Sequence, residues 1–268
     1  TYIQIRRVGR QNFAAEMDNI RHLIHNTPFN VVSMDTEYPG VIYESSDIQY
    51  RNPSGRYWLM KANVDVLGLI HVGFTLSDSA GNLATLEPER TIVVWEFAIS
   101  DFDVRIHPHN SKSISMLISR SLNFKFHRVE GIPSYDFAKA MLDIGLVGGA
   151  KGVYWVTFHG AYDFGYLIKA LTRSTLPDNL QDFLNLVQLY FGTHVYDVKY
   201  MVEFVPQIFG GLQERAARMR ICRVLAVGHQ AGSDSLLTQM EILVYHPLTS
   251  ICELRRPESG HNTIRNQL

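Results

Sequence analysis

The sequence predicts a single α/β domain in which a mixed central sheet is covered by helices on both faces. Two observations carry this prediction. Apolar residues recur with period two in some segments and at helical spacing in others, and the two kinds of segment are intermixed along the chain. A chain of 268 residues, 46% hydrophobic and 19% charged, can also bury a full core within one domain.

The elements follow in order. Phe13, Met17, Ile20 and Ile24 recur at helical spacing, and Asn26-Thr27-Pro28 stops that helix before a strand over Val31–Glu37. Over Leu69–Leu76, Ile70, Val72, Phe74 and Leu76 alternate onto one side; Ser77–Asn82 supplies turn residues, and Thr91–Ile99 returns as an antiparallel neighbour. Ser111 is read as the cap of a helix carrying Ile114, Leu117, Ile118 and Leu122, and Ser134 as the cap of one carrying Phe137, Met141 and Ile144. Val153–Phe158 reads as a buried strand. A helix over Tyr162–Arg173 follows, then one through Leu180, Phe183, Leu184 and Val187, and a last long helix over Ser233–Tyr245. One domain is expected over 1–246. Pro247 should interrupt the last helix, and 247–268 is expected to be a divergent, disordered tail.

Composition removes several function classes. A formal charge of −1 argues against a protein that coats nucleic acid through a broad basic face. The one dense basic stretch, Arg215, Arg218, Arg220 and Arg223, could contact RNA, but is read as a solvated helix face and its end. No apolar run approaches the roughly 20 residues that span a bilayer, and Thr1–Arg10 lacks the apolar centre of a signal peptide. Neither membrane insertion nor secretion is expected. Two cysteines, Cys222 and Cys252, without Cys-x-x-Cys spacing, fit a reducing compartment.

Three acidic features stand out. Asp35 and Glu37 end the strand built from Val31, Val32, Ser33 and Met34, and strand alternation puts both carboxylates on one face. Buried like charges repel and lose solvation, so such a pair calls for a hard cation such as magnesium or manganese. The same residues also describe an exposed strand end before the Pro39-Gly40 turn. Asp163 opens the helix after Val153–Phe158, where an acid also suits the helix dipole. His229 and Asp234 are five residues apart at the entry to the last helix. Within a continuous helix they would diverge, whereas with His229 in the loop and Gly232 or Ser233 starting the helix they reach one site.

Together these residues resemble the DEDD nucleases. The longer strings Ser33-Met34-Asp35-Thr36-Glu37-Tyr38-Pro39-Gly40-Val41, Asn63-Val64-Asp65, Phe158-His159-Gly160-Ala161-Tyr162-Asp163-Phe164-Gly165-Tyr166-Leu167, Gly210-Gly211-Leu212-Gln213-Glu214 and His229–Thr238 resemble the Caf/Pop-type deadenylases, the nuclease subunits of the CCR–NOT complex. The resemblance runs from about Ile3 to about Tyr245, and Thr75-Leu76-Ser77-Asp78 with Gly81-Asn82 resembles plant members. It implies a ribonuclease-H-like fold and a 3′→5′ exoribonuclease that shortens poly(A) and releases 5′-AMP. The implied catalytic set is Asp35, Glu37, Asp163, His229 and Asp234, with two divalent ions, Mg²⁺ or Mn²⁺. By resemblance Asp35 bridges both ions, Glu37 and Asp234 hold the water-side ion, Asp163 holds the leaving-group ion, and His229 accepts the proton from the attacking water. Tyr38, Phe158, His159 and Tyr162, beside these ligands, are candidates for holding single-stranded RNA by stacking and sugar contacts. The implied partners are a CCR–NOT scaffold subunit and a second deadenylase, and the implied location is cytoplasm and nucleus.

The chain departs from the family pattern at Gly9, where a Trp is usual, at Gly160, where a Ser is usual, and in its tail. Only Gly160 is near the expected chemistry. Two rival readings are an exonuclease for DNA or structured RNA, and an adaptor whose catalytic centre is dispensable.

Overall fold

A computed structural model describes residues 2–88, 90–149, 152–202, 208–224, 228–245 and 264. Its seven strands are β1 (Ile3–Val8), β2 (Val31–Glu37), β3 (His71–Ser77), β4 (Thr85–Leu86), β5 (Thr91–Ala98), β6 (Tyr154–Thr157) and β7 (Val195–Asp197). They form one sheet in the order β1-β5-β3-β2-β6-β7, with β4 on β5. The sheet is mixed: β2 runs antiparallel to β3 and parallel to β6, while β5 is antiparallel to β3 and parallel to β1. The expected β3/β5 antiparallel pair is present, and β2 stands between β3 and β6.

The helices are α1 (Phe13–Asn26), α2 (Pro53–Val66), α3 (Ser111–Ser119), α4 (Phe124–Glu130), α5 (Ser134–Asp143), α6 (Ala161–Thr172), α7 (Leu180–Phe191), α8 (Val198–Met201), α9 (Leu212–Arg218) and α10 (Ala231–Tyr245). Two expected caps differ. Asn110, not Ser111, caps α3, its side chain accepting from the N–H groups of Lys112 and Ser113. Pro133 precedes α5, and Ser134, its first residue, donates from both N–H and hydroxyl to the Asp101 carboxylate. In each case a side-chain oxygen still satisfies a helix-start donor, but it comes from a neighbour.

The principal core lies on the side of the sheet covered by α1, α2, α5, α6 and α7, around Phe74, Trp95, Phe97, Phe137, Trp155 and Phe164. Ile264 is buried there too, and the rest of the 247–268 expectation lies outside the described residues. Against the other side packs α10, and its contact with the sheet is partly polar. Ser33 Oγ donates to Gln239 Oε1, Gln239 Nε2 donates to Ser77 Oγ at 2.9 Å, and the Thr75 and Ser235 hydroxyls meet at 2.9 Å. All five side chains are fully buried. Close approach is possible because β3 carries Gly73, where a Cβ would stand 2.0 Å from the Ala231 carbonyl oxygen. Among the described residues no helix is long and apolar enough to cross a membrane.

Candidate active site

The carboxyl end of β2 opens into a cavity of about 760 Å³ lined by Asp35, Thr36, Tyr38, Phe158, His159, Asp163, Arg223, His229 and Asp234, among others. Three elements supply its acids. Strand β2 contributes Asp35, half-buried, and Glu37, buried and paired across the sheet with His71. Between them, Thr36 donates its hydroxyl to Asp163 Oδ1 at 2.5 Å, tying the first turn of α6 to the strand.

The turn into α6 is built without a capping side chain. Its N-cap is Gly160, and His159 just before it adopts φ +61°. A Cβ at Gly160 would lie 2.5 Å from the Thr157 side chain, so a serine at this position would require the turn to move. Asp197, at the end of β7 and fully buried, takes the capping role: its carboxylate accepts from the Gly160 N–H at 2.9 Å, the Thr157 hydroxyl at 3.0 Å and the Tyr200 N–H at 3.2 Å.

The third element is the entry to α10, which begins at Ala231 and leaves His229 in the loop with φ +58°. The Asp234 carboxylate folds back to accept the His229 backbone N–H at 2.8 Å, and the exposed imidazole faces the same site. One ligand atom each from Glu37, His229 and Asp234 lies within 4.8 Å of the others. The basic stretch is only in part the solvated face expected from sequence: Arg218 and Arg220 are exposed, whereas Arg215 and Arg223 are not. Arg223 is largely buried and donates to Gln213 Oε1 at 2.7 Å, Ser233 Oγ at 2.6 Å and Asp234 Oδ1 at 2.6 Å. Arg215 is also buried, its guanidinium on the carbonyls of Gly210 and Lys199.

Electrostatics mark the cluster as short of positive charge. Burial, then repulsion from Asp234, Asp163 and Glu37, pushes the Asp35 carboxyl well above its ordinary range, against a smaller opposing effect of Arg223. Burial and the charges of Asp234 and Asp163 do the same to Glu37. Asp163 is pushed up to about 7, chiefly by burial, although the Thr36 hydrogen bonds favour its charged form. A hard divalent cation would relieve this repulsion. Carboxylate oxygens with one imidazole are chemically suited to Mg²⁺ or Mn²⁺.

The four aromatic and imidazole candidates separate. Tyr38, Phe158 and His159 line the cavity. Tyr162 stacks on Tyr38, rings 5.2 Å apart and nearly parallel, so it supports Tyr38 from behind.

A mixed sheet that gathers its acids at the end of a central strand, between two helix starts, is the framework of the ribonuclease-H-like nucleases, and the chain is of that class. The sequence profile of the CAF1 family ribonucleases matches residues 8–142. The chain is 38% identical over 236 residues to the probable CCR4-associated factor 1 homolog 7 of Arabidopsis thaliana, covering 88% of this chain and 84% of that protein. It is 38% identical over 234 residues to the poly(A) ribonuclease pop2 of Schizosaccharomyces pombe, 87% of this chain and 67% of that one. Among solved structures, S. pombe Pop2p in its Mg²⁺- and Mn²⁺-bound form superposes with a TM-score of 0.82 at 36% identity, covering 91% of this chain and 93% of that chain. Yeast CAF1 co-crystallised with the NOT1 MIF4G domain is matched at a TM-score of 0.74 and 29% identity, covering 92% and 90%. The chain belongs to the CAF1 ribonuclease family.

Proposed function

We propose that this ribonuclease is a deadenylase: it removes nucleotides one at a time from the 3′ end of poly(A), releases 5′-AMP, and depends on two divalent ions. The observation that carries the reading is the gathering of Asp35, Glu37, Asp163, His229 and Asp234, from β2, α6 and the entry to α10, around one open cavity. Asp35, Glu37, Asp163 and Asp234 would hold the ions, which when bound supply charge stabilisation at the scissile phosphate and a more acidic water. His229 stands exposed beside Glu37 and Asp234, placed to take the proton of that water, and no covalent intermediate is needed. Tyr38, packed against Tyr162 and Tyr166, lines the cavity with Phe158 and His159, and these side chains would hold the terminal nucleotide.

The poly(A) named for the S. pombe relative and the NOT1 domain bound by yeast CAF1 support the substrate and the scaffold in this reading. The chain docks on a NOT1-type scaffold of the CCR–NOT complex beside a second deadenylase and acts in cytoplasm and nucleus. A time course on 5′-labelled RNA ending in adenosines, run with magnesium, with EDTA and with Asp35→Ala and His229→Ala, tests the chemistry. A metal-dependent single-nucleotide ladder missing in Asp35→Ala is expected. A wild-type chain that yields no ladder in magnesium or manganese, yet binds its scaffold, would make the adaptor reading the better one.

A further inference from the structure

The four arginines between 215 and 223 part company in the fold. Arg215 and Arg223 turn inward, whereas Arg218 and Arg220 remain exposed. Arg218, the last residue of α9, lays its guanidinium over the ring of Phe209, 3.6 Å from the ring centre. Phe209 itself is 59% exposed. A large apolar ring held at the surface with a cation on its face is an uncommon use of phenylalanine, since burial is its usual stabilising role.

Position gives the pair a meaning. Phe209 precedes by two residues the segment Gly211–Glu214, which forms part of the cavity wall. Two residues of chain span at most roughly 7 Å, so the backbone that carries the ring lies close to the cavity wall. Glu214, one turn before Arg218, has its carboxylate engaged at the other end of α9, where it accepts from the Gly211 N–H at 3.2 Å. The segment leading to the cavity therefore presents an exposed aromatic ring with a guanidinium on it, beside a cavity lined by Asp35, Asp163 and Asp234 as well as Arg120 and Arg223. Aromatic rings and guanidinium planes are the groups on which unstacked bases lie, and arginine also meets the phosphates between them.

We propose that Phe209 and Arg218 form a binding subsite for single-stranded RNA outside the catalytic cavity, holding a nucleotide upstream of the one being removed. This rests on the ribonuclease reading above and adds a second point of attachment to it. Phe209 stacks a base without regard to its identity, and Arg218 contributes both stacking and a phosphate contact. A long single strand that runs from the cavity past the rim would gain from the subsite, and a short oligonucleotide held at the catalytic end would gain less.

The test compares an oligoadenylate of about twenty nucleotides with a trinucleotide, using Phe209→Ala and Arg218→Gln in the full chain. Affinity is read by fluorescence anisotropy in an Asp35→Ala background and turnover in the otherwise wild-type chain. Each variant is expected to weaken binding of the long RNA about 5- to 30-fold and of the trinucleotide less, with kcat unchanged. Arg218→Gln should also lower the slope of log affinity against log salt by about one. Variants that bind both RNAs as the wild type does, while the wild type shortens the long RNA, overturn the subsite alone and leave the rim to a protein contact. A wild type that neither binds nor shortens RNA overturns the ribonuclease reading, and the subsite with it.

Discussion

The Arg223 guanidinium lies 2.6 Å from one oxygen of Asp234, whose other oxygen already accepts the His229 backbone N–H. Both side chains of the ion pair are about nine-tenths buried. Breaking a buried pair leaves an uncompensated charge, here in the midst of three further carboxylates. Arg223→Gln should therefore destabilise the metal-free chain by about 3 kcal/mol, and manganese should restore most of the loss. Thermal unfolding in EDTA and in manganese measures both. An unchanged melt in EDTA would mean that Arg223 does not balance the cluster.

Gly73 sets how closely α10 can approach the sheet at the level of the acids, since it pairs with Asp35 across β2 and β3. A methyl group there meets the Ala231 backbone, which cannot swing aside as a side chain could. Gly73→Ala should lift the start of α10 and carry His229 and Asp234 with it. The expected result is a loss of more than about tenfold in kcat, because misplacement by about 1 Å is that costly, with the fold retained by circular dichroism. Full activity would show that the helix start can adjust.

Asp197 holds the turn that delivers Asp163, and it does so from a position with no access to substrate. Asn at 197 keeps the volume but sets an NH₂ group against donors from Gly160 and Thr157 or from Tyr200. We expect Asp197→Asn to lower kcat about 10- to 100-fold, as losses of outer hydrogen bonds around metal ligands do, while KM for RNA changes little. A variant with lowered melting temperature and normal kcat would reduce Asp197 to a purely structural acid.

Glu241 on α10 is fully buried. Burial pushes its carboxyl up to about 8 from an ordinary value of 4.5, partly opposed by Arg215, the Ala216 backbone N–H and Arg223. Because the folded value is the higher one, the protonated group's contribution to stability is fully present below pH 4.5 and is lost as pH rises through about 8. Glu241→Gln should remove that loss and stabilise the chain by about 2 kcal/mol at about pH 9, with little effect near pH 5. Urea unfolding of manganese-loaded protein at the two pH values gives the comparison. Equal destabilisation of wild type and variant with rising pH would assign the effect elsewhere.

The parts of this architecture that sequence reveals are those whose chemistry is local. Asp35 and Glu37 are visible because a strand alternates, Asp163 because it opens a helix, and His229 with Asp234 because Gly232 marks a helix start. Helix α2 escapes the apolar pattern because its inner face is partly polar. Asn63 there is buried with its side chain on Ile42, Tyr43 and Leu59 backbone groups, and buried Lys61 reaches Asp65 and the Leu176 carbonyl. Asp197 sits at the end of a strand of only three residues and also caps α8, which is how it would look in any sequence. Arg223 was hidden by its neighbours: four arginines close together read as one solvated face, and only tertiary packing sends them to different destinations.

The hydroxyl and amide contacts between α10 and the sheet act as an index. A greasy face tolerates sliding, because one methyl group serves nearly as well as the next. The Ser33–Gln239–Ser77 and Thr75–Ser235 bonds do not, since advancing the helix by a residue or a turn would break all of them inside a dry interior. Gln239 and Ser235 lie five residues and one residue past Asp234, while Ser33 lies two before Asp35. The separation between acids carried by distant stretches of chain is thus ruled off along two scales that can engage at a single graduation.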